Sequence, residues 1–489
     1  MNILIAAAEA TPLAKSGGLA DVASALPIEW KKSGQNPIII MPKYRAVNCD
    51  KYNFKPTELV LYVPMGNWME FARLWYGTLP GSDVPVYLIE NGDYYDRDGI
   101  YGNPSEYHDN DRRFIFFSRA VLEAAKAINF KPDILHAHDF HAAFSLAFLK
   151  SQYRQDPLFA NTAGVYTIHN LAYQGWFDPD RAMNFSQFGI NEFYSTSWFE
   201  HHGTVNAMKT GIMFADKITT VSPNYAQEIR YPYFSEGMQD VLNHRAADLV
   251  GILNGVNYDE WNPEVDENIY AKYNLESIAT KRYNKHKFLK ENGLKEQDNL
   301  DMPLMGMITR LTEQKGVDLV MNKLEDHIAK SYFRFTILGS GNEEYEDYFN
   351  YLARKYPSKA IIYIGYNSKR SHQVFAASDY FLIPSRFEPC GLTQMYALKY
   401  GAIPIVRMTG GLADTVEEYN PASGKGNGFL FYQYNADDMD YAIRRAISTY
   451  QSDPHWGLLR QNAMEADYSS GESAMKYLRL FNWAIDKIR

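Results

Sequence analysis

The fold is decided at the start of the chain, where NILIAAA (residues 2–8) leads through the loop KSGG (15–18) into ADVASALPIEWKK (20–32) and then NPIIIMP (36–42). The first and last of these segments are continuous apolar runs, which are typical of strands buried on both faces. Between them, apolar residues recur at roughly helical spacing. The stretch therefore predicts a strand, a helix and a second strand that lies parallel to the first in one sheet.

The same alternation continues along the chain and then starts again. Helical patterns such as FIFFSRAVLEAAKAI (114–128) and VDLVMNKLEDHIA (317–329) separate short apolar runs. Because this alternation indicates parallel sheets covered on both faces, we expect the α/β class, with two doubly wound Rossmann-like halves that join near residues 240–255. The other predicted strands are VPVYLIE (84–90), DILHAH (133–138) and GVYTIH (164–169) in the first half, and PLMGMIT (303–309), FRFTILG (333–339), AIIYIG (360–365), DYFLIP (379–384) and AIPIVRM (402–408) in the second.

Length and composition narrow the function classes. A chain of 489 residues exceeds what one hydrophobic core usually supports, and 46% apolar with 22% charged residues is typical of a globular protein. No apolar run approaches the roughly 18 residues of a membrane span, and the N-terminal run meets Glu9 with no basic segment before it, as a core strand does and a signal peptide does not. The net charge of −9 argues against nucleic-acid binding. We expect a soluble cytoplasmic protein that binds neither nucleic acid nor membrane, and its 15% aromatic content suits stacking on sugars.

Polar motifs follow the predicted strands at the point where each strand ends. Ligands of parallel sheets bind beyond the carboxyl ends of the strands, so these motifs are the candidates for a site. They are KSGG (15–18), HDFH (138–141), HNLAYQG (169–175), RLTEQKG (310–316), GSG (339–341) and SRFEPCGLT (385–393).

Two of these motifs have the composition of anion sites. Gly17 and Gly18 permit close approach of the backbone, the helix after them directs free N–H groups at the loop, and Lys15 adds a full charge. Arg310 and Lys315, five residues apart, have the spacing to grip the two phosphates of a nucleoside diphosphate. The structural alternatives are a plain turn with a solvated lysine and an ordinary surface pair of cations.

Glu388 is a more specific candidate. It lies between Pro384 and Pro389, at the end of a predicted strand and just before a helix. A carboxylate there can contact a sugar hydroxyl or stabilise an electron-poor anomeric carbon, while the amides of Leu392 and Thr393 can receive a phosphate. The alternative is that Glu388 only caps the helix.

The pentapeptide GGLAD occurs twice, at 17–21 and at 410–414. We expect one architectural device used in each half, a glycine-softened turn ahead of a helix. Only the first copy has a charge of its own, in Lys15, so the chemistry is expected to be concentrated there.

Three further motifs fit their usual functions poorly. GSGNEE has Glu344 where the third glycine of a dinucleotide-binding loop belongs, which gives little support to a nicotinamide cofactor. The DxD at 109–111 is too short to indicate a metal. His136, His138 and His141 lack the spacing and carboxylate partner of a zinc motif. We therefore predict that the chain holds no metal.

In their order and spacing, the motifs together resemble those of bacterial glycogen synthases and plant starch synthases, over residues 1 to about 475. The resemblance implies the GT-B fold, in which two doubly wound Rossmann-like domains face a central cleft. It places the domains at 1–247, on the acceptor side, and 248–472, on the nucleotide-sugar side, with a C-terminal helix at 473–489 that crosses back to the first domain. The motifs are KSGGLADV, HAHDFHA, TIHNLAYQG, VSPNYAQEI (221–229), GILNGVNYDEWNP (251–263), RLTEQKG, SRFEPCGLTQMYALKYG and TGGLADTV.

The resemblance also implies an activity. Members of the family transfer glucose, with retention, from ADP-glucose or UDP-glucose to the nonreducing 4-OH of an α-1,4-glucan such as glycogen or a maltooligosaccharide, without a metal or a cofactor. Attack on the face of the leaving group is favoured, because no carboxylate is obviously placed as a nucleophile. The absence of a plastid extension and the likeness to bacterial enzymes favour ADP-glucose and a bacterial cytoplasmic enzyme.

Roles carry over from the family motif by motif. Lys15 matches the lysine that meets the donor phosphates, Arg310 and Lys315 the pair that neutralises the leaving diphosphate, and Glu388 the carboxylate close to the donor glucose. His169 matches the residue beside the reacting centre and Asp139 the aspartate that orders the same pocket; Tyr366 is expected to stack on the base. The substrate-binding residues expected from the resemblance are Lys15, Gly17, Gly18, Asp21, Tyr101, Asn170, Gln174, Asn254, Tyr366, Cys390, Gly391, Leu392 and Thr393.

Two positions depart from the wider family pattern, and three other classes of protein are alternatives to this interpretation. Tyr396 stands where other retaining GT-B enzymes carry a second glutamate, a loss that the glycogen and starch synthases share, and Phe140 replaces a usual Trp. A glucan phosphorylase is considerably longer and needs a pyridoxal phosphate lysine. A noncatalytic glucan-binding GT-B protein leaves the joint retention of Lys15, Arg310, Lys315 and Glu388 unexplained. A nicotinamide oxidoreductase is weakened by Glu344.

Overall fold

The strand–helix–strand unit predicted at the N-terminus is present. The first and second strands pair in parallel, with Leu4 opposite Ile38 and Ile5 opposite Ile39, and these side chains are buried. The helix between them begins at Gly18 and buries Trp30 near its C-terminal end. Continuous apolar strands and one apolar helix face thus form one layer of helix against sheet, as the sequence pattern predicts.

The computed structural model describes residues 1–103, 105–330 and 332–489, and it divides the chain into two compact units. Unit 1 contains Met1–Gly255 and Ser470–Arg489, and unit 2 contains Val256–Ser469. The sequence analysis places the boundaries after residues 247 and 472. The first boundary differs because Leu249–Gly251 pairs as a strand with Lys217–Thr220 in the sheet of unit 1, which keeps this segment in the first unit.

Unit 1 is built on a nine-stranded sheet, in the order β12-β11-β7-β6-β1-β2-β5-β4-β3. The pairs from β12 to β5 are parallel, and β4 runs antiparallel to both β5 and β3. A second, antiparallel sheet has three strands in the order β8-β10-β9, and these strands fall between β7 and β11 in the chain. The strands are β1 (Asn2–Ala6), β2 (Asn36–Pro42), β3 (Lys55–Met65), β4 (Trp68–Thr78), β5 (Pro85–Glu90), β6 (Ile134–His138), β7 (Ala163–Ile168), β8 (Trp176–Phe177), β9 (Glu200–His201), β10 (Thr204–Asn206), β11 (Lys217–Thr220) and β12 (Leu249–Gly251).

Helices cover the sheet of unit 1, and the helix after β6 is buried along nearly all of its length. The helix after β6 begins directly at Asp139, with no intervening loop, so the residues of the HDFH motif lie at its N-terminus. The helices are α1 (Gly18–Lys32), α2 (Gly92–Tyr95), α3 (Asn110–Ala127), α4 (Asp139–Lys150), α5 (Pro179–Phe185), α6 (Ala207–Phe214), α7 (Pro223–Glu228) and α8 (Gln239–His244), with a 3₁₀ turn at Ile190–Glu192.

Unit 2 has a six-stranded sheet, all parallel, in the order β15-β14-β13-β16-β17-β18. Its core packs apolar strand residues such as Phe335 and Ile405 against helix residues such as Leu324 and Ile443. The elements are α9 (Thr280–Glu291), β13 (Leu304–Ile308), a 3₁₀ turn (Glu313–Lys315), α10 (Val317–Ala329), β14 (Arg334–Gly339), α11 (Glu343–Lys355), β15 (Ala360–Ile364), α12 (Ser368–Ala377), β16 (Tyr380–Ile383), α13 (Thr393–Lys399), β17 (Ile403–Arg407), α14 (Gly410–Thr415), β18 (Phe429–Phe431), α15 (Ala436–Tyr450) and α16 (Asp453–Glu465).

The last helix, α17 (Ser470–Ile488), returns to unit 1. The indole N–H of Trp30 donates to the carbonyl of Ala474 at 3.1 Å, and the ring of Phe481 packs edge-on against Trp30. At the far end, Lys487 pairs with Asp248 at 2.7 Å. The C-terminal segment therefore completes the cover on one face of the first sheet.

No described helix is long and apolar enough to cross a membrane.

Candidate functional site

In unit 1, the KSGG loop is held by a carboxylate. Both side-chain oxygens of Glu9 accept hydrogen bonds from this loop, from the Ser16 amide and hydroxyl and from the Gly17 amide. The Lys15 ammonium pairs instead with Asp21 of α1, with 2.7 Å between Nζ and Oδ1. The loop is thereby fixed at the carboxyl end of β1, with its lysine about half exposed.

Gly17 and Gly18 lie in open space. Gly17 has extended backbone, with φ of −153°, a conformation that any residue adopts. In the described part of the chain, nothing lies within 4 Å of a Cβ placed on either glycine. The packing of unit 1 therefore does not require glycine at either position, and the backbone there is open to close approach.

Residues from β6, α4 and the loop after β7 meet in a buried polar group. Asp139 has φ of 53°, in the left-handed region that aspartate tolerates better than most side chains, and its Oδ1 accepts from the His169 amide at 2.7 Å. The Nε2 of His169 lies 2.9 Å from Nδ1 of His138, so one of these nitrogens carries the shared proton. His169 and Asp139, 30 residues apart in the chain, are thus brought together.

Burial sets the ionisation of this group. It raises the pKa of the Asp139 carboxyl to about 7, against the opposing hydrogen bonds from the His169 and Asn170 amides, with the negative charge of Glu9 raising it further. Burial also lowers the pKa of His169 to about 3. The imidazole of His169 is therefore neutral at physiological pH, and Asp139 changes charge within that range.

The remaining candidates of unit 1 divide between contact with this group and other places. The Tyr101 ring stacks on His141, with centroids 4.5 Å apart, and its hydroxyl donates to Glu9. Asn170 lies next to His169, and its Oδ1 accepts from the Ala172 amide. Asn254 is buried, and among the described residues its Oδ1 has no hydrogen-bond partner, which leaves an acceptor open to a ligand.

Gln174 belongs to a different surface. Its amide is used inside the protein, since Nε2 donates to the Glu236 carbonyl and Oε1 accepts from Asn206. Gln174 lines a cavity of about 420 Å³ together with aromatic side chains that include Phe140 and Trp176. We expect its polar atoms to support this wall more than to bind substrate.

In unit 2, Lys315 and Glu388 form an ion pair. The ammonium of Lys315 lies 2.7 Å from Oε2 of Glu388, and the Ser385 hydroxyl donates to the same oxygen at 2.9 Å. Glu388 is 8% exposed. Arg310 is exposed, and within the ranges that the structure describes its guanidinium has no ion-pair partner. These residues follow β13 and β16, which are neighbours in the sheet, so the fold brings the RLTEQKG and FEPCGLT motifs to the same edge.

The second GGLAD segment packs against the backbone of Glu388 and Cys390. A Cβ on Gly410 would lie 1.8 Å from the carbonyl oxygen of Glu388, and one on Gly411 would lie 2.0 Å from that of Cys390. Gly410 also has φ of +46°, and the Gly411 amide donates to the Glu388 carbonyl at 3.1 Å. Both copies lie at the N-terminus of a helix, but the reason for glycine differs: backbone packing requires it at 410 and 411, whereas Gly17 and Gly18 are uncovered.

The other candidates of unit 2 lie around the FEPCGLT loop and the end of β15. Gly391 has φ of +69°. Its carbonyl accepts a hydrogen bond from the side-chain Nε2 of Gln394, which also donates to the Cys390 carbonyl. Leu392 and Thr393 follow at the start of α13. Tyr366 follows β15 and is 80% exposed, as a stacking platform requires.

The short motifs that were set aside have structural partners. Asp109 accepts two hydrogen bonds from Arg97, and Asp111 pairs with Arg181 at 2.8 Å. His136 bonds the Thr167 hydroxyl through Nε2 at 2.7 Å. Within residues 1–103, 105–330 and 332–489, no three His, Cys, Asp or Glu side chains form a group that suits a metal ion.

Sequence reasoning missed two members of these groups. The sequence pattern shows Glu9 only as a charge after an apolar run. A carboxylate that follows a buried strand and precedes a glycine loop can nevertheless accept hydrogen bonds from the amides of that loop, and this was the available signal. Ser385, three residues before Glu388, is the other.

Two doubly wound units in one chain, with cations, a carboxylate and glycine loops at the carboxyl ends of parallel strands, define the GT-B class of glycosyltransferases. Solved structures agree with this class. The catalytic domain of starch synthase IV from Arabidopsis thaliana, bound to ADP and acarbose, superimposes with a TM-score of 0.91 at 33% identity, covering 99% of both chains. Sucrose-phosphate synthase from Thermosynechococcus elongatus has a TM-score of 0.60 at 14% identity, which shows the shared fold alone.

The sequence comparisons narrow the class. Residues 2–244 match the starch synthase catalytic domain, and residues 290–458 match the glycosyl transferases group 1. The glycogen synthase of Bacillus cereus (strain ATCC 10987 / NRS 248) is 44% identical over 481 residues, which covers 98% of this chain and 99% of that protein. That of Pseudothermotoga lettingae is 41% identical over 493 residues, covering 100% and 99%. The chain belongs to the family of glycogen synthases and starch synthases, and it is a glycosyltransferase that uses a nucleotide sugar and a glucan.

Proposed function

We propose that the chain transfers glucose from ADP-glucose to the nonreducing 4-OH of an α-1,4-glucan, with retention at the anomeric carbon and without a metal. The observation that carries the proposal is the Lys315–Glu388 ion pair beside an exposed Arg310 at the ends of adjacent strands. Two cations and one carboxylate match a reaction in which negative charge grows on a leaving diphosphate while positive charge grows on a sugar carbon. ADP is supported as the nucleotide by the starch synthase IV domain, which is bound to ADP.

In the proposed step, the bond between C1 of glucose and the diphosphate oxygen breaks, and a bond from C1 to the acceptor O4 forms on the same face. The proton of the 4-OH passes to the departing phosphate oxygen, so the products are ADP and a glucan longer by one glucose. Arg310 and Lys315 neutralise the charge on the diphosphate, and Tyr366 stacks on the adenine. Loss of one preorganised donor of this kind typically costs about 10² to 10³ in rate.

Glu388 has a second role in this proposal. Its carboxylate is held by the Lys315 ammonium and by the Ser385 hydroxyl, which fix its position in the loop. A fixed negative charge near the donor glucose favours the oxocarbenium character of C1 in the transition state. The loop from Cys390 to Thr393 is proposed to bind the donor beside it.

The residues of unit 1 are proposed to handle the sugar and the anion from their own positions. His169 is neutral at the pH of the reaction, so its imidazole offers a hydrogen bond without adding a charge. Asp139 fixes the His169 main chain, and the amide of Gly18, with Lys15, binds phosphate. Asp21, Tyr101, Asn170, Gln174 and Asn254 complete the proposed set, with Gln174 acting through the wall that it supports.

The test is nucleotide release from each donor, with and without glycogen. We expect ADP release from ADP-glucose that depends on glycogen, and slower or no release of UDP from UDP-glucose. Digestion of the labelled product with β-amylase, which cleaves only α-1,4 bonds from the nonreducing end, then reports linkage, anomer and site of addition. The proposal is wrong if neither nucleotide is released, if UDP-glucose is preferred, or if the label resists the digestion.

A further inference from the structure

Glu9 holds four donors at the end of β1. The residue is 3% exposed, and its carboxylate accepts from the Ser16 amide, the Ser16 hydroxyl at 3.0 Å, the Gly17 amide at 3.2 Å and the Tyr101 hydroxyl. The two backbone amides can only donate, and both bond Oε2, whereas the two hydroxyls bond Oε1. A carboxylate can accept from all four groups at once.

These bonds join two segments that are far apart in the chain. Tyr101 lies 92 residues after Glu9, in the segment before α3, and its ring stacks on His141 of α4. Ser16 and Gly17 belong to the loop before α1. One carboxylate therefore sets the position of the glycine loop and of the tyrosine ring together.

The bonds also determine which loop groups stay available to a ligand. The Ser16 and Gly17 amides are used by Glu9, and Lys15 is held by Asp21. In the described part of the chain, the Gly18 amide has no internal acceptor, and no atom covers the position of its missing side chain. The loop is thus anchored on one side and left open at Gly18.

We infer that Glu9 is a positioning residue of this site, which holds the loop from Lys15 to Gly18 in the conformation that binds the donor and holds the Tyr101 ring against His141. The inference rests on the proposed function, in which this loop binds the phosphate of ADP-glucose. Glu9 acts through the loop and through Tyr101 and does not itself touch the substrate.

The choice of glutamate is specific. In Glu9→Gln, the remaining oxygen can accept from the Ser16 and Gly17 amides while the NH₂ faces the Ser16 and Tyr101 hydroxyls, so each bond loses the charge of the carboxylate. Glu9→Asp keeps the charge but is one methylene shorter, so it reaches the loop or Tyr101 less well. A matched control is Glu123→Gln, because Glu123 in α3 likewise accepts a tyrosine hydroxyl, that of Tyr153, away from the loop.

Two measurements test the inference. Hydrogen–deuterium exchange of the full chain, without substrate, reports the loop directly: in Glu9→Gln we expect the Ser16 and Gly17 amides to exchange about tenfold faster or more, since a neutral oxygen binds each amide more weakly than a carboxylate does. Steady-state kinetics with glycogen as acceptor should show a KM for ADP-glucose raised about tenfold, with a smaller change in kcat, because the loss is in placing the donor. Glu9→Asp should lie between Glu9→Gln and the wild type, and Glu123→Gln should match the wild type in both measurements.

The outcomes separate the two proposals. If the wild-type protein releases no ADP from ADP-glucose, the proposed function fails, while loop exchange in Glu9→Gln still shows whether Glu9 anchors the loop. The inference is overturned if loop exchange and KM in Glu9→Gln equal those of the wild type, or if Glu123→Gln raises KM by the same factor. Should Glu9→Gln not fold, Glu9→Asp gives the same readouts, and a wild-type KM in that variant with faster loop exchange also overturns it.

Discussion

The ammonium of Lys315 lies 2.7 Å from the carboxylate of Glu388, although the two residues are 73 positions apart in the chain. Both side chains are largely buried, at 19% and 10% exposure. A pair in this setting satisfies each partner's charge before any ligand binds. Since the proposed reaction creates negative charge on a diphosphate and positive charge on C1, the pair supplies one charge of each sign at fixed positions.

Replacing the lysine tests the first of these charges. In Lys315→Ala we expect kcat for ADP release to fall about 10²- to 10³-fold, because a preorganised cation next to the leaving group is lost. Lys323→Ala is the matched control, since Lys323 in α10 pairs with Asp437 in the same unit and is expected to keep wild-type turnover. An unchanged rate in Lys315→Ala would remove Lys315 from the proposed site.

Replacing the carboxylate tests the second charge. Glu388→Gln keeps the size of the side chain and an oxygen that can accept from Ser385, so we expect the variant to fold. Its free energy of unfolding should fall by about 1 to 3 kcal/mol. Turnover should fall at least as far as in Lys315→Ala, because the charge near C1 is lost. Calorimetry and ADP release measure the two effects, and a variant with normal turnover and reduced stability would make Glu388 purely structural.

The sequence predicts most of the parallel strands, but it misses the short parallel strands β11, β12 and β18 and the antiparallel hairpin of β3 and β4. Segments such as 36–42 and 333–339 are buried on both faces, so their apolar runs are continuous and their identity is clear. The hairpin exposes Tyr62 and Phe71 on its outer face, so its strands lack the alternation of apolar and polar residues that marks a half-buried strand.

The candidate site shows the same limit. Lys315, Glu388 and His169 were found because each lies in a local motif at the end of a strand. The contact between Lys315 and Glu388 depends on β13 and β16 being neighbours in the sheet, and this order is not written in any local pattern. Glu9 lies outside these motifs, and its bond to Tyr101, 92 residues later, is not visible in any local pattern.

The two GGLAD segments give a paired prediction. Gly410→Ala places a Cβ against the Glu388 carbonyl at a backbone φ of +46°, so we expect it to destabilise the protein by about 2 kcal/mol or more and to lower turnover by moving Glu388. Gly18→Ala meets no atom within 4 Å among the described residues, so its stability should equal or slightly exceed that of the wild type.

The effect on donor binding is expected to be larger at Gly18, where the effect on stability is smaller. Gly18→Ala is expected to raise the KM for ADP-glucose, because the new methyl group stands where the ligand approaches the backbone. Urea unfolding and steady-state kinetics on both variants decide the point. A Gly18→Ala protein with unchanged KM would show that the loop does not approach the donor.

The buried histidines predict how stability depends on pH. Burial lowers the pKa of His136 and His169 to about 3 each, and it lowers those of His138 and His141 as well. As the pH falls through about 6.5, the unfolded chain takes up protons at these residues and the folded chain does not, so the free energy of unfolding falls. Asp139 acts in the opposite direction, because its pKa of about 7 lets the folded chain hold a proton between about pH 4 and 7 that the unfolded chain has lost.

Burial also lowers the pKa of His327 and raises that of Asp111. The buried histidines still outnumber the two aspartates, so we expect a net loss of stability on acidification from pH 6.5 to 5, with each fully buried histidine contributing a slope of about 1.4 kcal/mol per pH unit. Urea unfolding at several pH values measures the slope. His136→Asn should reduce it by one such contribution. A slope of zero, or one that His136→Asn does not change, would mean that these imidazoles take up protons in the folded state, and the neutral His169 of the proposed mechanism would then have to be abandoned.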